Sequence, residues 1–338
     1  MSGNIKPHSS GARIVAIGAS LAVSILLMAA KFYIYRLTLS AAILSDALES
    51  IINVVASAFA LISIIMSAKP PDESHPYGHG KIEFFSAGFE GALIMVAAVG
   101  IFVSGMAHLI DPREIHNLGS GLLLLLVTAL VNLGLGICLV RIGKRTGSLA
   151  LSADGEHVLS DVYTSGGVLL GLFLVQLTGY LWLDGVIACI VGIRILFTGG
   201  KLVRISFGGL MDESDPQLLE EVSKLLAQHR KDHWIDVHQL RVLRSGNLIN
   251  IDFHMILPRH MTLDQAHGES VELEHIIVRH FSGNARVLIH LDPCLDPECR
   301  ICQNSECEDR TQAPKDKPAW DSETVSRVKT RHGKQGIS

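Results

Sequence analysis

The chain is predicted to be a polytopic α-helical membrane protein: six transmembrane helices followed by a C-terminal cytoplasmic α+β domain. Three observations predict it. The 338 residues carry only 18% charged side chains, where soluble proteins carry about a quarter, and the mean hydropathy is +0.35. The apolar residues fill the first two thirds in long runs. After Asp212 the pattern changes to short alternating and helical segments of the kind that fold in water. A net charge of −4 at neutral pH argues against a nucleic-acid partner.

A helix needs about 20 mostly apolar residues to cross the hydrocarbon layer. Six stretches offer them: 13–36, 40–67, 82–110, 119–142, 149–177 and 181–205. The fifth is the weakest by hydropathy, because Asp154, Glu156, His157 and Asp161 interrupt its first half, and Gly166–Leu177 carries the signal. Residues 1–12 read as a short cytoplasmic segment. The apolar run after it is too long for a signal-peptide core and is followed by no small-residue cleavage site, so it reads as an uncleaved first span. Basic residues in short loops set orientation. Arg13, Lys69, Lys81, Arg141, Lys144, Arg145, Lys201 and Arg204 fall on one side, Arg36 and Arg113 on the other. Both termini and the 68–81 loop are therefore placed in the cytoplasm, with residues 13–208 as the membrane domain.

Residues 209–294 read as the soluble domain. Pro216–Gln228 is helical, with Asp215 ahead of Pro216 as its start. Asp236–Leu243 and Leu248–Leu257 are strands around the turn Ser245-Gly246-Asn247. Thr262–Phe281 is a helix and Arg286–Asp292 alternates as a strand. The order α-β-β-α-β predicts a small open sheet with helices on one face. About eighty residues support a core only just, so pairing with a second copy is expected. Residues 295–308 are a cysteine-rich extension, and the polar tail 309–338 lacks the apolar content to fold and is predicted to be disordered.

Inside the apolar segments sit two pairs of polar residues. Side chains at i and i+4 leave a helix on one face, so Glu49 with Asn53, and His157 with Asp161, each aim two ligand atoms at one point. An ionised side chain at the bilayer centre costs about 2.5–3.5 kcal/mol, which makes such a cluster a functional site by default. Nitrogen and oxygen ligands of this kind suit a divalent first-row metal, most often zinc. Asp46 and Asp154, one turn before each pair, are assigned supporting roles in hydrogen bonding or hydration.

The loop Pro70-Pro71-Asp72-Glu73-Ser74-His75-Pro76-Tyr77-Gly78-His79-Gly80-Lys81-Ile82-Glu83 contains the run His-x-Phe/Tyr-Gly-His-x-Lys-x-Glu. Together with the two pairs and the soluble tail, it resembles the cation diffusion facilitator family of divalent-metal/proton antiporters, for which that run is highly specific. The likeness extends from about Arg13 to Cys294. It implies a transport site at Glu49, Asn53, His157 and Asp161 and an interfacial site at Asp72, His75 and His79. It also implies a charge pair, Lys81 with Asp212, tying the membrane and soluble halves together, and a metallochaperone-like fold for the soluble domain. One departure stands out. The family usually has Asp or His followed by Asp in the second span, whereas Asn53 carries no charge, leaving Glu49 and Asp161 to balance a dication.

In the soluble domain, alternation puts Asp252 and His254 on one strand face, and His290 with Asp292 on another. The resemblance matches His238, His254, His267, His290 and Asp292 to a cytoplasmic metal cluster that helps the domain dimerise. Cys294, Cys299, Cys302 and Cys307 have metal-ligand spacing, and a reducing cytoplasm keeps thiolates available. A redox disulfide pair is the alternative, and this element lies outside the family's common core. Glu90 and Arg194 stand at matching depths in the third and sixth spans, which predicts an intramembrane ion pair.

The expected function is a homodimeric secondary transporter in a membrane, a bacterial inner membrane, exporting a divalent metal in exchange for protons. Zinc leads, with iron(II), cobalt and manganese as alternatives. A non-transporting membrane metal sensor or scaffold is the competing class. An enzyme is not expected, since the chain holds no His-Glu-x-x-His helix and no nucleophile beside a base.

Overall fold

The computed structural model describes residues 10–38, 41–110, 119–180, 182–246, 248–305, 307–315 and 318–327. The chain forms two compact units, Met1–Met211 and Asp212–Ser338. The first holds six long helices: α1 (Ser10–Thr38), α2 (Ala41–Ser67), α3 (Ile82–Ile110), α4 (Gly119–Thr146), α5 (Leu149–Thr178) and α6 (Trp182–Leu210). Their ends differ from the expected spans by no more than five residues. Five of them are long and apolar enough to cross a membrane. The exception is α5, whose 30 residues are long enough, at about 1.5 Å per residue, but whose first half carries the polar groups that make the site.

Small residues let these helices approach closely, as membrane packing favours. A Cβ on Gly199 of α6 would stand 2.8 Å from the Gly91 carbonyl oxygen of α3. One on Gly155 of α5 would stand 2.8 Å from the Val140 nitrogen of α4, so the turn ahead of His157 is wedged against its neighbour. Arg13, fully buried on α1, donates from Nη1 to Glu83 Oε1 at 2.7 Å. Glu83 also accepts from Ser67 at 2.7 Å and Ser148 at 2.5 Å, which ties α1, α2, α3 and the entry to α5 together. The basic residue that served as an orientation marker is thus half of a buried ion pair.

Glu90 and Arg194 do not form the expected pair. Glu90 is wholly buried, and neither carboxylate oxygen has a hydrogen-bond partner among the described residues. Arg194 is exposed, donates to Thr198 Oγ1 at 2.6 Å, and lies 5.8 Å from the centroid of the Tyr163 ring. Equal depth along two helices says nothing about azimuth. These side chains leave α3 and α6 in different directions.

The second unit contains α7 (Pro216–Gln228), β1 (Asp236–Ser245), β2 (Leu248–Leu257), α8 (Leu263–His280), β3 (Ala285–Pro293), a 3-10 turn at Asp296–Arg300, and α9 (Ser322–Ser326). Asp215 caps α7, accepting from the Gln217 and Leu218 amides, and Thr262 with Gln265 forms a capping box on α8. The sheet order is β1-β2-β3, with β1 and β2 antiparallel and β2 and β3 parallel. Parallel neighbours need a crossover, which α8 supplies. The core gathers Leu218, Val222 and Leu226 of α7, Phe253 and Met255 of β2, and Leu273 and Ile277 of α8.

The tail departs from expectation. Trp320 and Val325 join that same core, at 4% and 0% exposure, and α9 packs beside β1. Arg230 donates to the Pro318 carbonyl at 2.6 Å and lies over the Trp320 ring. The Gln239 amide donates to the Arg327 carbonyl at 3.2 Å. Average polarity over thirty residues conceals two apolar anchors, and two suffice where a formed core receives them. Residues 328–338 lie outside the described residues.

Candidate metal centres

Between α2 and α5 a polar chain runs through the helix bundle. Asn53 Nδ2 donates to Asp161 Oδ2 at 2.7 Å, and His157 Nε2 donates to Asn53 Oδ1 at 3.0 Å. The chemistry fixes these directions. With the Asn53 NH2 turned to Asp161, the amide oxygen faces the imidazole and accepts from it. Glu49 lies one turn before Asn53 on α2, and its side chain, like that of Asp46, lies outside the described residues. Asp154 is buried and accepts from Ser20 of α1 at 2.6 Å and Ser57 of α2 at 2.7 Å. It therefore ties α5 to α1 and α2. The two serines are partners that sequence spacing did not reveal, because they lie on other helices.

The loop between α2 and α3 brings its three predicted ligands together. Asp72 lies 3.3 Å from His75 Nδ1 and 3.4 Å from His79 Nε2, and the two ring centroids are 4.3 Å apart with their planes tilted by 40°. One ligand atom from each residue lies within 4.8 Å of the others. The loop owes its shape to a turn in which the His75 amide donates to Asp72 Oδ1 at 2.7 Å, and to Gly78, whose φ of +87° suits glycine. That amide is the main reason the Asp72 carboxyl is held below the usual carboxylate range.

On the soluble sheet, register builds the third group. His238, His254 and His290 pair in one row across β1, β2 and β3. Their rings follow one another at 5.1 and 4.5 Å. Asp292 reaches back along β3 to His254 Nδ1 at 3.0 Å, His290 Nε2 at 3.5 Å and His238 Nε2 at 3.9 Å. Exposure rises across the row from 1% at His238 to 30% at His254 and 63% at His290. Asp236, buried and 4.0 Å from His238 Nδ1, is a further carboxylate here that alternation alone did not flag. Asp252 turns instead to Arg241 at 3.2 Å. The ligand atoms that converge are those of His238, His254 and Asp292; His290 stands outside that group, as does His267, exposed on α8.

Cys294, Cys299 and Cys302 are buried, Cys307 is half-buried, and all four are free thiols. Cys299 Sγ accepts from the Thr311 hydroxyl at 3.6 Å. The Thr311 N–H is the leading reason its thiol lies below the ordinary value, whereas burial pushes the Cys302 thiol up. Lys81 belongs to the first unit, and Asp212, with φ of 59°, opens the second.

Long helices enclosing polar side chains, joined in one chain to a small α+β unit, define a class: multi-pass membrane proteins with an appended α+β domain. Residues 17–211 match the cation efflux transmembrane domain, and residues 214–294 match the cytoplasmic domain of cation efflux proteins. An uncharacterized transporter of Synechocystis sp. is 37% identical over 286 residues, covering 84% of this chain and 90% of that protein. The cation-efflux pump FieF of Escherichia coli is 30% identical over 282 residues, covering 82% of this chain and 91% of the pump. FieF of Escherichia fergusonii matches to the same extent. The chain belongs to the cation diffusion facilitator family, a family of transporters rather than enzymes.

Proposed function

We propose that the protein is a homodimeric secondary transporter that exports a divalent transition metal, zinc before iron(II), cobalt or manganese, in exchange for protons. The observation that carries this reading is the hydrogen-bonded chain Asp161–Asn53–His157 linking α2 to α5. A metal entering between these groups competes with protons already there. His157 must release the Nε2 proton, and Asp161 must exchange an amide donor for the ion. Free imidazole titrates near 6.5, so protons arriving from the far side expel the metal as pH falls. Glu49 and Asp161 supply the two negative charges that a dication requires, and Asn53 supplies a neutral oxygen.

Rocking of helices past one another would present this ligand set to either face in turn. In this reading both termini are cytoplasmic and the membrane is a bacterial inner membrane. The Asp72, His75 and His79 group and the row on the sheet bind cytoplasmic metal and tighten the dimer. Metal uptake into proteoliposomes under an imposed pH gradient tests it. Wild type should exchange protons for zinc and His157→Ala should fall to vesicle leak; undiminished flux in that variant overturns the site. The uncharged Asn53 favours a second reading, a sensor that dimerises on metal. Metal-dependent dimerisation without flux in the wild type would establish that one.

A further inference from the structure

Residues 294–312 hold four of the chain's six cysteines. Apart from those cysteines and Pro297, the only apolar side chains there are Leu295 and Ile301. Leu295 is exposed. So little apolar surface does not explain a folded path, and small units of this composition are commonly held by a metal or by disulfides. The path is nevertheless defined. Cys294 and Cys302 pack with Ile235, Ile256 and Ile301. Arg310 gathers the carbonyls of Cys299, Cys302 and Asn304, at 3.2 Å, 3.4 Å and 2.5 Å.

The donors around the sulfurs are the informative part. A neutral thiol is a weak acceptor, yet Cys299 Sγ receives the Thr311 hydroxyl at 3.6 Å. Cys294 Sγ receives the Arg259 amide at 3.4 Å. Hydrogen bonds of this kind suit thiolates and orient them as ligands. Two arginines flank the loop and offset the surplus negative charge that four thiolates would leave around a divalent ion.

We propose that Cys294, Cys299, Cys302 and Cys307 form a four-thiolate site for a thiophilic divalent ion of the zinc class, which staples the C-terminal extension onto the cytoplasmic domain. The spacing, a C-x2-C core with one cysteine four residues beyond it on each side, suits a closed tetrahedral site. No three of these sulfurs lie within 4.8 Å of one another, so loading draws the limbs together and couples metal to order in the segment that leads to Trp320 and Val325. The site neither depends on the transport reading nor shares a residue with it.

The full-length protein, purified under reducing conditions, is titrated with cobalt(II) and separately with zinc. Thiolate-to-cobalt charge-transfer bands with strong tetrahedral d–d absorption are expected. One zinc per chain and the charge-transfer bands should both be lost in the Cys299→Ser/Cys302→Ser double variant, whereas the charge-transfer bands should persist in His157→Ala. Zinc should also protect the thiols of wild type from alkylation until a chelator is added, which decides the matter if the double variant fails to fold. Absence of the charge-transfer bands, alkylation that zinc does not slow, or a disulfide found by mass spectrometry in the reduced preparation would overturn the proposal.

Discussion

The two histidine-centred sites present similar ligands on opposite principles. In the membrane unit, Asn53 and His157 stand on separate helices and meet only because α2 and α5 pack. On the sheet, His238, His254 and His290 stand on adjacent strands whose hydrogen bonds set their spacing before any ligand arrives. A site assembled across a helix interface comes apart when the helices move. A site built on a sheet changes little unless the domain unfolds. The first arrangement suits an ion that must be released, the second an ion that is to be held, and that contrast can be tested.

The largest effect is expected at Asp161. Asp161→Asn leaves two amides facing each other and one negative charge at most, so zinc flux in proteoliposomes should drop to leak while the protein still folds; retained flux would detach the α2–α5 site from transport. Next comes the ion pair at the edge of that bundle. Glu83→Gln strands the buried Arg13 guanidinium, and breaking such a pair costs about 3–5 kcal/mol. Thermal unfolding in detergent should show the loss, and an unchanged Tm would mean that the helices are held by packing alone.

His254→Ala should remove one bound metal from the cytoplasmic unit and weaken metal-dependent dimerisation. Flux at saturating zinc should remain near wild type. A variant that binds as before but no longer transports would reverse the roles assigned to the two sites. The smallest effect concerns the pH dependence of the sheet's scaffold. Burial opposes ionisation of Glu269, yet hydrogen bonds from Lys231 and Trp234, with the His233 ring 3.0 Å away, hold its carboxyl down to about 2. An acid depressed in the folded state contributes stability above its unfolded value, about 4.3, and loses it as pH falls toward the folded one. Unfolding followed by Trp fluorescence should therefore weaken between about pH 4.5 and 2, and Glu269→Gln should flatten that window.

Much of this was legible in the chain, and what was not has a common cause. Glu49 with Asn53 and His157 with Asp161 were readable because four residues make about one helical turn, a local property. The strands carrying His254 and His290 were readable from alternation, but not their pairing in one row, nor that Asp236 lies beside His238 while His267 stands apart. Asp154 showed its polarity in the sequence but not its partners Ser20 and Ser57, which lie 134 and 97 residues away. Composition misjudged the tail because Trp320 and Val325 gain their stabilisation from a core formed elsewhere.

By itself the sequence determined the six helices, the order of elements in the soluble unit, and the chemical types of the candidate ligands, because helical period, strand alternation and side-chain chemistry are set within a few residues. Only the tertiary structure decided which of those groups meet. Glu90 and Arg194 share a depth yet part in azimuth, while Asn53 joins His157 across 104 residues. Depth accumulates along one helix at a fixed rise per residue. The direction a side chain faces acquires meaning only when a second helix or strand packs against it.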